Sequence, residues 1–271
     1  MPLATVGGAP LHYLEAGSGD PPLVLLHAFP LNAAMWEPQV ADLSDRWRVI
    51  APDLPGFGKS APFPEDSAVS IDGMADVIAG LLDELDVPEV ALGGLSLGGY
   101  VAFAFARRHR PRLRALVLAD TRAGADSDEV RERRSRQQDE VREKGTEELV
   151  ETMLGTLLAD YTKEHRTSAV ERARNLMAEA SPDAIVSTLE AMKGRADASG
   201  ELSSIDIPTL VVVGEQDQTA PVEVAQEMCD RLPQARLAVI PDAGHLSSLE
   251  QPQAFTAELR SFLDDLPRPP D

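Results

Sequence analysis

The chain has 271 residues, of which 43% are hydrophobic, 26% charged and 4% aromatic, so it can bury a large core as one domain with an insertion or as two small domains. Its formal net charge of −20 excludes a nucleic-acid partner and disfavours an anionic membrane surface, because both need clustered Lys and Arg. The single cysteine, Cys229, excludes an intramolecular disulfide and a multi-cysteine zinc site.

The N-terminal segment carries no recognisable secretory signal, because residues 1–5 have no basic stretch that leads into an apolar one. No uncharged apolar run approaches the roughly 18 residues that a membrane-spanning helix needs. The sequence therefore predicts a cytoplasmic protein with no membrane partner.

Short apolar runs alternate with helical patterns along most of the chain. A leading antiparallel pair of strands is predicted at 4–6 and 11–15, on either side of Gly7-Gly8. The alternation that follows is typical of a mostly parallel sheet covered by helices on both faces. The buried strands are predicted at 23–27, 48–52, 90–93, 113–119, 209–214 and 236–240. Helices are predicted at 71–85, 100–109, 221–232 and 252–263.

The alternation stops between Thr121 and Ser204, where no strand-like run occurs. Helical patterns in this stretch span 126–144, 147–158, 165–180 and 182–193. We interpret it as an all-helical lid inserted between two strands of the sheet. Residues 1–120 and 205–271 are then the core and 121–204 the cap, with 267–271 expected to be a frayed tail.

The most informative motif is Gly94-Leu95-Ser96-Leu97-Gly98, which follows a predicted strand and precedes a predicted helix. A serine with glycines two residues away on both sides is typical of a nucleophile elbow. The turn exposes the serine in strained backbone geometry, and a side chain at either glycine would collide with neighbouring backbone. Ser96 is therefore the candidate nucleophile, and the alternative is an ordinary glycine-rich turn.

A serine hydroxyl needs a base to remove its proton and a third group to orient that base. His245 follows the last predicted strand, at the carboxyl end where open sheets of this kind place their sites. The remaining histidines lie in the leading hairpin, on charged helices or in an early loop: His12, His109, His165 and His27. We therefore take His245 as the candidate base.

The orienting acid should follow the carboxyl end of the preceding strand. The strand at 209–214 is followed by Glu215-Gln216-Asp217, and Glu215 lies too close to the strand end. Asp217 is the candidate acid, and its alternative role is that of a turn or cap carboxylate. Asp120, directly after the strand at 113–119, is the rival.

The negative oxygen of an acyl-transfer intermediate must meet two backbone donors. The amide of Leu97, at the start of the helix after the elbow, is one candidate. The second should lie in the loop after the first buried strand, where Phe29 is the candidate because the next residue, Pro30, has no N–H to donate. His27 is interpreted as a structural residue that hydrogen-bonds nearby loops.

With these motifs in this order, the chain resembles the α/β-hydrolase superfamily, and within it the esterases, enol-lactonases and cofactor-free haloperoxidases (perhydrolases). The resemblance covers about residues 11–119 and 205–263. It also rests on the loop 53–60, Asp-Leu-Pro-Gly-Phe-Gly-Lys-Ser, which is chiefly structural in that superfamily. The family usually has His-Gly where this chain has His27-Ala28, and we expect the added methyl to narrow the oxyanion loop without abolishing it.

The resemblance implies an α/β-hydrolase fold, with a mostly parallel eight-stranded sheet flanked by helices and an inserted all-helical lid. It implies that Ser96 forms an acyl-enzyme, that His245 acts as base and then acid, and that Asp217 holds the imidazole; some members place the acid at the position of Asp120. Serine at this position argues against haloalkane dehalogenases and epoxide hydrolases, which use aspartate there. No metal or cofactor is implied.

The substrate depends, in that superfamily, on the pocket beneath the lid, where this sequence is least informative. A small or medium carboxylic ester is the leading expectation. The alternatives are a C–C bond hydrolase and an enol-lactonase, whose substrate, such as 3-oxoadipate enol-lactone, needs a cationic group for its carboxylate; Arg122 and Arg195 are candidates. A hypothesis of another class is a non-catalytic receptor or scaffold that keeps the fold. The oligomeric state is not predicted.

Overall fold

Eight β-strands form the centre of the molecule. In this computed structural model, which describes residues 2–64 and 67–266, the strands are β1 (Leu3–Val6), β2 (Ala9–Ala16), β3 (Leu23–Leu26), β4 (Val49–Pro52), β5 (Val90–Leu95), β6 (Leu113–Ala119), β7 (Thr209–Gly214) and β8 (Ala235–Ile240). Their order in the sheet is β1-β2-β4-β3-β5-β6-β7-β8. β2 runs antiparallel to β1 and β4, and the other neighbouring pairs are parallel. The predicted mostly parallel, eight-stranded sheet is confirmed. The predicted tail, 267–271, lies outside the described residues.

Helices cover both faces of this sheet. In the described part of the chain they are α1 (Glu37–Leu43), α2 (Ile71–Glu84), α3 (Leu97–Arg108), α4 (Asp128–Lys144), α5 (Glu147–Leu157), α6 (Asp160–His165), α7 (Thr167–Ala178), α8 (Pro182–Lys193), α9 (Val222–Arg231), α10 (Ser247–Glu250) and α11 (Pro252–Asp264). Short 3₁₀ turns occur at Ala33–Trp36, Arg110–Arg112 and Ser199–Ser204.

The central strands bury side chains on both faces of the sheet. On β7, Val211 and Val213 belong to an apolar cluster with α2, α3 and α9, whereas Leu210 and Val212 belong to a second cluster with α1 and α11. Successive side chains of a strand point to opposite faces, so a strand covered on both sides has a continuous apolar sequence. This is why apolar runs alone predicted the parallel strands.

The structure differs from the predicted elements near the carboxyl edge of the sheet. The helix predicted to begin at Tyr100 begins at Leu97, and β5 extends to Leu95, so Ser96 alone separates strand from helix. The glycines at 98 and 99 obscured this start, because Gly has low helix propensity. The short helices α1 and α10 have too few residues for their periodicity to predict them.

The segment between β6 and β7 is described throughout and contains α4 to α8 and one 3₁₀ turn, but no strand. Within it α4 packs on α8, and α5 packs on α7. Its two ends are joined where Ala198 N–H donates to the carbonyl of Ala123 (2.9 Å) and buried Arg195 pairs with Asp126 (2.5 Å). Among the described helices, none has the length and apolarity needed to cross a bilayer.

Candidate active site

The serine of the elbow stands at the carboxyl edge of the sheet, between β5 and α3. Ser96 adopts φ 54° and ψ −106°, a conformation that is unfavourable for a residue with a Cβ atom. Its N–H donates to the carbonyl of Ala119 in β6 (2.9 Å). A Cβ on Gly94 would overlap the backbone of Gly98, and one on Gly98 would overlap the backbone of Leu26. Both glycines therefore permit the turn that leaves Ser96 partly exposed.

Three side chains from separate strand ends meet at this edge. Nε2 of His245 lies 2.8 Å from Oγ of Ser96, and Nδ1 lies 2.8 Å from Oδ2 of Asp217. The other carboxylate oxygen of Asp217 accepts the N–H groups of Thr219 (2.7 Å) and Ala220 (2.9 Å), which fixes the carboxylate. The structure therefore brings the candidate nucleophile, base and acid into one hydrogen-bonded series.

The pKa of the imidazole is set mainly by its surroundings at this site. Burial lowers the pKa of His245, but the charge of Asp217, its hydrogen bond and the charge of Asp120 together raise it by more, so this pKa lies above its ordinary value. The charge of Arg122 opposes the increase. Only neutral His245 can accept the proton of Ser96, so the reactive form accumulates as the pH rises through the raised pKa.

Asp120 follows β6 and contacts the loops that carry the acid and the base. It is fully buried, and its carboxylate accepts Gly214 N–H (2.9 Å) and the O–H of Ser247 (2.5 Å). Burial, and then the charge of Asp217, raise the pKa of Asp120 well above its ordinary value. The imidazole bonds to Asp217 rather than Asp120, so the geometry favours Asp217 as the acid. Among the described residues, no group of three or more His, Cys, Asp or Glu could hold a metal ion.

The backbone amides of Leu97 and Phe29 are the candidate oxyanion donors. Leu97 is the first residue of α3, so its N–H has no acceptor within the helix. Within the described residues, no group accepts a hydrogen bond from the N–H of Phe29. The loop before it is held by His27, whose Nε2 accepts Leu54 N–H (2.9 Å) and whose Nδ1–H donates to the carbonyl of Ala28 (2.9 Å). Burial lowers the pKa of His27, consistent with the predicted structural role.

The loop 53–60 begins with a buried carboxylate that contacts the 3₁₀ turn after the Phe29 loop. Asp53 accepts the N–H groups of Ala33 (2.7 Å) and Lys59 (2.9 Å), and Nδ1 of His12 lies 2.6 Å from its second oxygen. Asp53 thus joins the leading hairpin to that turn and to the loop 53–60. These contacts agree with the structural role that the resemblance implied for this loop. The sequence alone did not identify the groups that bond to Asp53.

The two arginines suggested for binding a substrate carboxylate differ in availability. Arg195 is buried, lies 2.5 Å from Asp126 and stacks over the ring of Tyr100 (4.0 Å), so its charge is already used within the protein. Arg122 is partly exposed and donates to the carbonyl of Thr219. Among the described side chains, no carboxylate forms an ion pair with Arg122.

One buried acidic residue near the site was not found from the sequence. Glu250, at the end of the single-turn helix α10, is fully buried and accepts hydrogen bonds from the backbone on both sides of His245. The only signal in the sequence was a glutamate five residues after His245, directly after the apolar residue Leu249. Periodicity gives no information on a helix of one turn, so this signal was not recognised.

The order of the site residues along the chain is nucleophile after β5, acid after β7 and base after β8, all at one edge of the sheet. The sequence pattern of the alpha/beta hydrolase fold family matches residues 21–252. The chain belongs to the α/β-hydrolase fold family.

Other α/β hydrolases resemble this chain over nearly its whole length. A thermophilic esterase from Thermogutta terrifontis superposes with a TM-score of 0.93 at 38% identity, covering 98% of each chain. The enol-lactonase from Burkholderia xenovorans superposes with a TM-score of 0.88 at 30% identity, covering 97% of this chain and 100% of that one. The 3-oxoadipate enol-lactonase 2 of Acinetobacter baylyi is 29% identical over 254 residues, covering 93% of this chain and 92% of that protein. The predicted resemblance to this group of α/β hydrolases is confirmed.

Proposed function

We propose that the protein is a serine hydrolase that cleaves small or medium carboxylic esters through an acyl-enzyme. The observation that best supports this proposal is the hydrogen-bonded series Ser96–His245–Asp217, with distances of 2.8 Å at both junctions. The similarity to an esterase and to enol-lactonases also favours hydrolysis of a carboxylic ester bond.

In the first half of the proposed reaction, Oγ of Ser96 attacks the ester carbonyl carbon while Nε2 of His245 takes the hydroxyl proton. The carbonyl oxygen becomes negative and accepts the N–H groups of Phe29 and Leu97. Asp217 holds the imidazole in the required tautomer and stabilises its protonated form. His245 then protonates the departing alcohol, leaving the acyl group on Ser96.

In the second half, water replaces the alcohol. Nε2 of His245 removes a proton from the water as it attacks the acyl carbon, and the same two amides bind the negative oxygen. The carboxylic acid leaves when Ser96 regains its proton from His245. The side chains named here supply every proton transfer in this scheme.

We further propose that residues 121–204 form a cap that selects the acyl group and that 1–120 with 205–271 form the core. The helical composition of that segment and the junction formed by Arg195 and Asp126 at its base support this division. The partner is then a small-molecule ester or lactone that enters between cap and core.

The second candidate is hydrolysis of a lactone that bears a carboxylate, as an enol-lactonase would require. Arg122 favours it, because this arginine is partly exposed and its charge acts on His245. The buried ion pair of Arg195 makes that arginine a poor candidate. A C–C bond hydrolase would use the same three side chains, but no particular residue favours it.

A nitrophenyl ester series with acyl lengths from two to eight carbons tests the proposal. We expect turnover and covalent labelling by a fluorophosphonate, both of which require an activated serine. Ser96→Ala should lose on the order of 10⁵-fold or more in kcat, because the three side chains act as a unit, and should not be labelled. Wild-type protein that neither turns over nor reacts with the probe would favour the non-catalytic scaffold instead.

A second panel separates the enzymatic alternatives. It compares hydrolysis of neutral esters with hydrolysis of carboxylate-bearing lactones and with peracid formation from the matching acids and hydrogen peroxide, which releases water. Arg122→Gln should lower kcat/KM for a carboxylate-bearing lactone selectively if that lactone is the substrate. Equal loss for neutral and anionic substrates would remove the argument for the enol-lactonase alternative.

A further inference from the structure

Glu250 contacts the backbone of the loop that carries the candidate base. One oxygen, Oε1, accepts the N–H of Gly244 (2.9 Å) and the N–H of Leu246 (3.1 Å), which are the amides on either side of His245. Burial raises the pKa of Glu250 above its ordinary value, and the hydrogen bonds from these backbone N–H groups oppose that shift. The carboxylate therefore fixes the backbone immediately before and after the imidazole.

The other oxygen of Glu250 reaches the segment between α5 and α6. Oε2 accepts the N–H of Ala159 (2.8 Å), and the carbonyl of Leu157 accepts the N–H of His245 (2.7 Å). A Cβ on Gly244 would lie 2.6 Å from both Ala159 N and the Leu157 carbonyl oxygen, so the two segments meet backbone against backbone. The loop of the base is thus bonded directly to the helical segment inserted between β6 and β7.

We propose that Glu250 is a positioning residue that fixes the loop of His245 and couples it to the 157–159 segment of the cap. This inference rests on the proposed hydrolase function. Glu250 does not touch the reacting atoms; it acts by holding Nε2 of His245 at its 2.8 Å distance from Ser96. Misplacement of a catalytic group by about 1 Å can lower a rate by about 10²-fold.

Two substitutions separate the parts of this contact. Glu250→Gln keeps one oxygen, which can still accept the amides of Gly244 and Leu246, but turns its NH₂ group against the N–H of Ala159. Glu250→Ala removes every acceptor and leaves three backbone N–H groups unpaired in the interior, which is unfavourable. The bond from Ala159 to residue 250 is therefore lost in both variants, whereas the bonds that fix Gly244 and Leu246 are lost only in the second.

Glu179→Gln is the matched control. Glu179 also joins the helical segment to the core, because it accepts a hydrogen bond from the side-chain amide of Asn32 (2.7 Å). Among the described residues, no hydrogen bond or ion pair joins Glu179 to the loop of His245. For each protein, fluorophosphonate labelling is carried to completion to count active sites, and kcat is expressed per labelled site. A purely structural role lowers the number of labelled sites and leaves kcat per site unchanged.

We expect Glu250→Gln to lower kcat per labelled site by about 10- to 100-fold, with KM for a neutral ester within about threefold of wild type, and Glu250→Ala to lower it further. Glu179→Gln should keep the wild-type value. Unchanged kcat per site in Glu250→Gln, or a variant that does not fold, would overturn the positioning role and assign the carboxylate to stability alone. Wild-type protein with neither turnover nor labelling would instead reject the hydrolase function itself.

Discussion

At the scale of single residues, the site depends on backbone strain at one position. The dihedrals of Ser96 belong to a sparsely populated region, whose cost is about 1–3 kcal/mol. The N–H bond to Ala119 and the close backbone contacts at Gly94 and Gly98 hold the strained conformation in place. In this conformation the Ser96 hydroxyl lies 2.8 Å from Nε2 of His245. The nucleophile and the base of the proposed reaction are therefore already hydrogen-bonded in the protein without substrate.

Asp217 and Asp120 lie at adjacent strand ends, and their contacts predict different effects of losing each charge. Asp217→Asn puts an NH₂ group against Nδ1–H of His245, which favours the wrong tautomer, and we expect kcat to fall on the order of 10³- to 10⁴-fold. Because the charge of Asp217 raises the pKa of His245, its removal should move the acid limb of the residual kcat/KM profile to lower pH. Initial rates across a pH series measure both effects.

Asp120→Asn is the matched comparison. Its amide oxygen can accept a hydrogen bond from Gly214 N–H, and its NH₂ group can donate to the hydroxyl of Ser247. The NH₂ group then faces Ser247 N–H, which loses its acceptor. We expect kcat within about tenfold of wild type, because one lost hydrogen bond costs about 1 kcal/mol. The charge of Asp120 raises the pKa of His245 less than the charge of Asp217 does, so the acid limb should move to lower pH by less than in Asp217→Asn. If kcat fell strongly in Asp120→Asn and hardly changed in Asp217→Asn, Asp120 would be the acid instead of Asp217.

At the scale of elements, the site forms because parallel strands end at one edge of the sheet. The predicted order of strands therefore indicated that Ser96, Asp217 and His245 would lie near one another, and local sequence was sufficient for that expectation. The contacts of Glu250 could not be predicted in this way. Its partner Ala159 is 91 residues away along the chain, and a bond to a backbone amide places no requirement on the partner's residue type.

The starts of helices and the helices of a single turn were the elements that could not be predicted accurately from the sequence. The true start of α3 at Leu97 was hidden by glycines that are there for close packing rather than for helix propensity. The buried carboxylate of Asp53 was likewise within a recognised loop, but its bonds to Ala33 and Lys59 depend on the fold. Tertiary requirements override local preference at these positions.

The elbow offers a direct test of the packing argument at the level of α3. Gly98→Ala places a methyl within 3 Å of Leu26, and we expect it to lower the free energy of unfolding by about 1–3 kcal/mol and to slow fluorophosphonate labelling. Gly155 lies on the exposed side of α5, and a Cβ added there would have no neighbour within 4 Å. Gly155→Ala should therefore raise the free energy of unfolding by about 0.5–1 kcal/mol. Denaturant unfolding of both variants supplies the measurement, and equal effects would contradict the packing argument.

At the scale of the whole molecule, a rigid sheet and a helical segment contribute different parts of the site. The side chains of the hydrogen-bonded series all follow strands of the sheet, which is packed between two apolar clusters. The segment between β6 and β7 touches this machinery through backbone contacts at Leu157 and Ala159. If that segment is the cap we propose, changes in it away from Leu157 and Ala159 should alter the acyl pocket while the reacting atoms keep their support.

The formal net charge of −20 affects the rate at which a charged substrate associates with the protein. A strongly negative protein repels anions in solution, and this repulsion is screened as the Debye length falls from about 30 Å at 0.01 M salt to about 10 Å at 0.1 M. For a carboxylate-bearing ester, kcat/KM should therefore rise severalfold over this range, whereas a neutral ester of the same acyl length should show no change. A decrease with salt would mean that a local cation, with Arg122 as the candidate, outweighs the field of the whole protein. The carboxylate-bearing lactone would then replace the neutral ester as the favoured substrate.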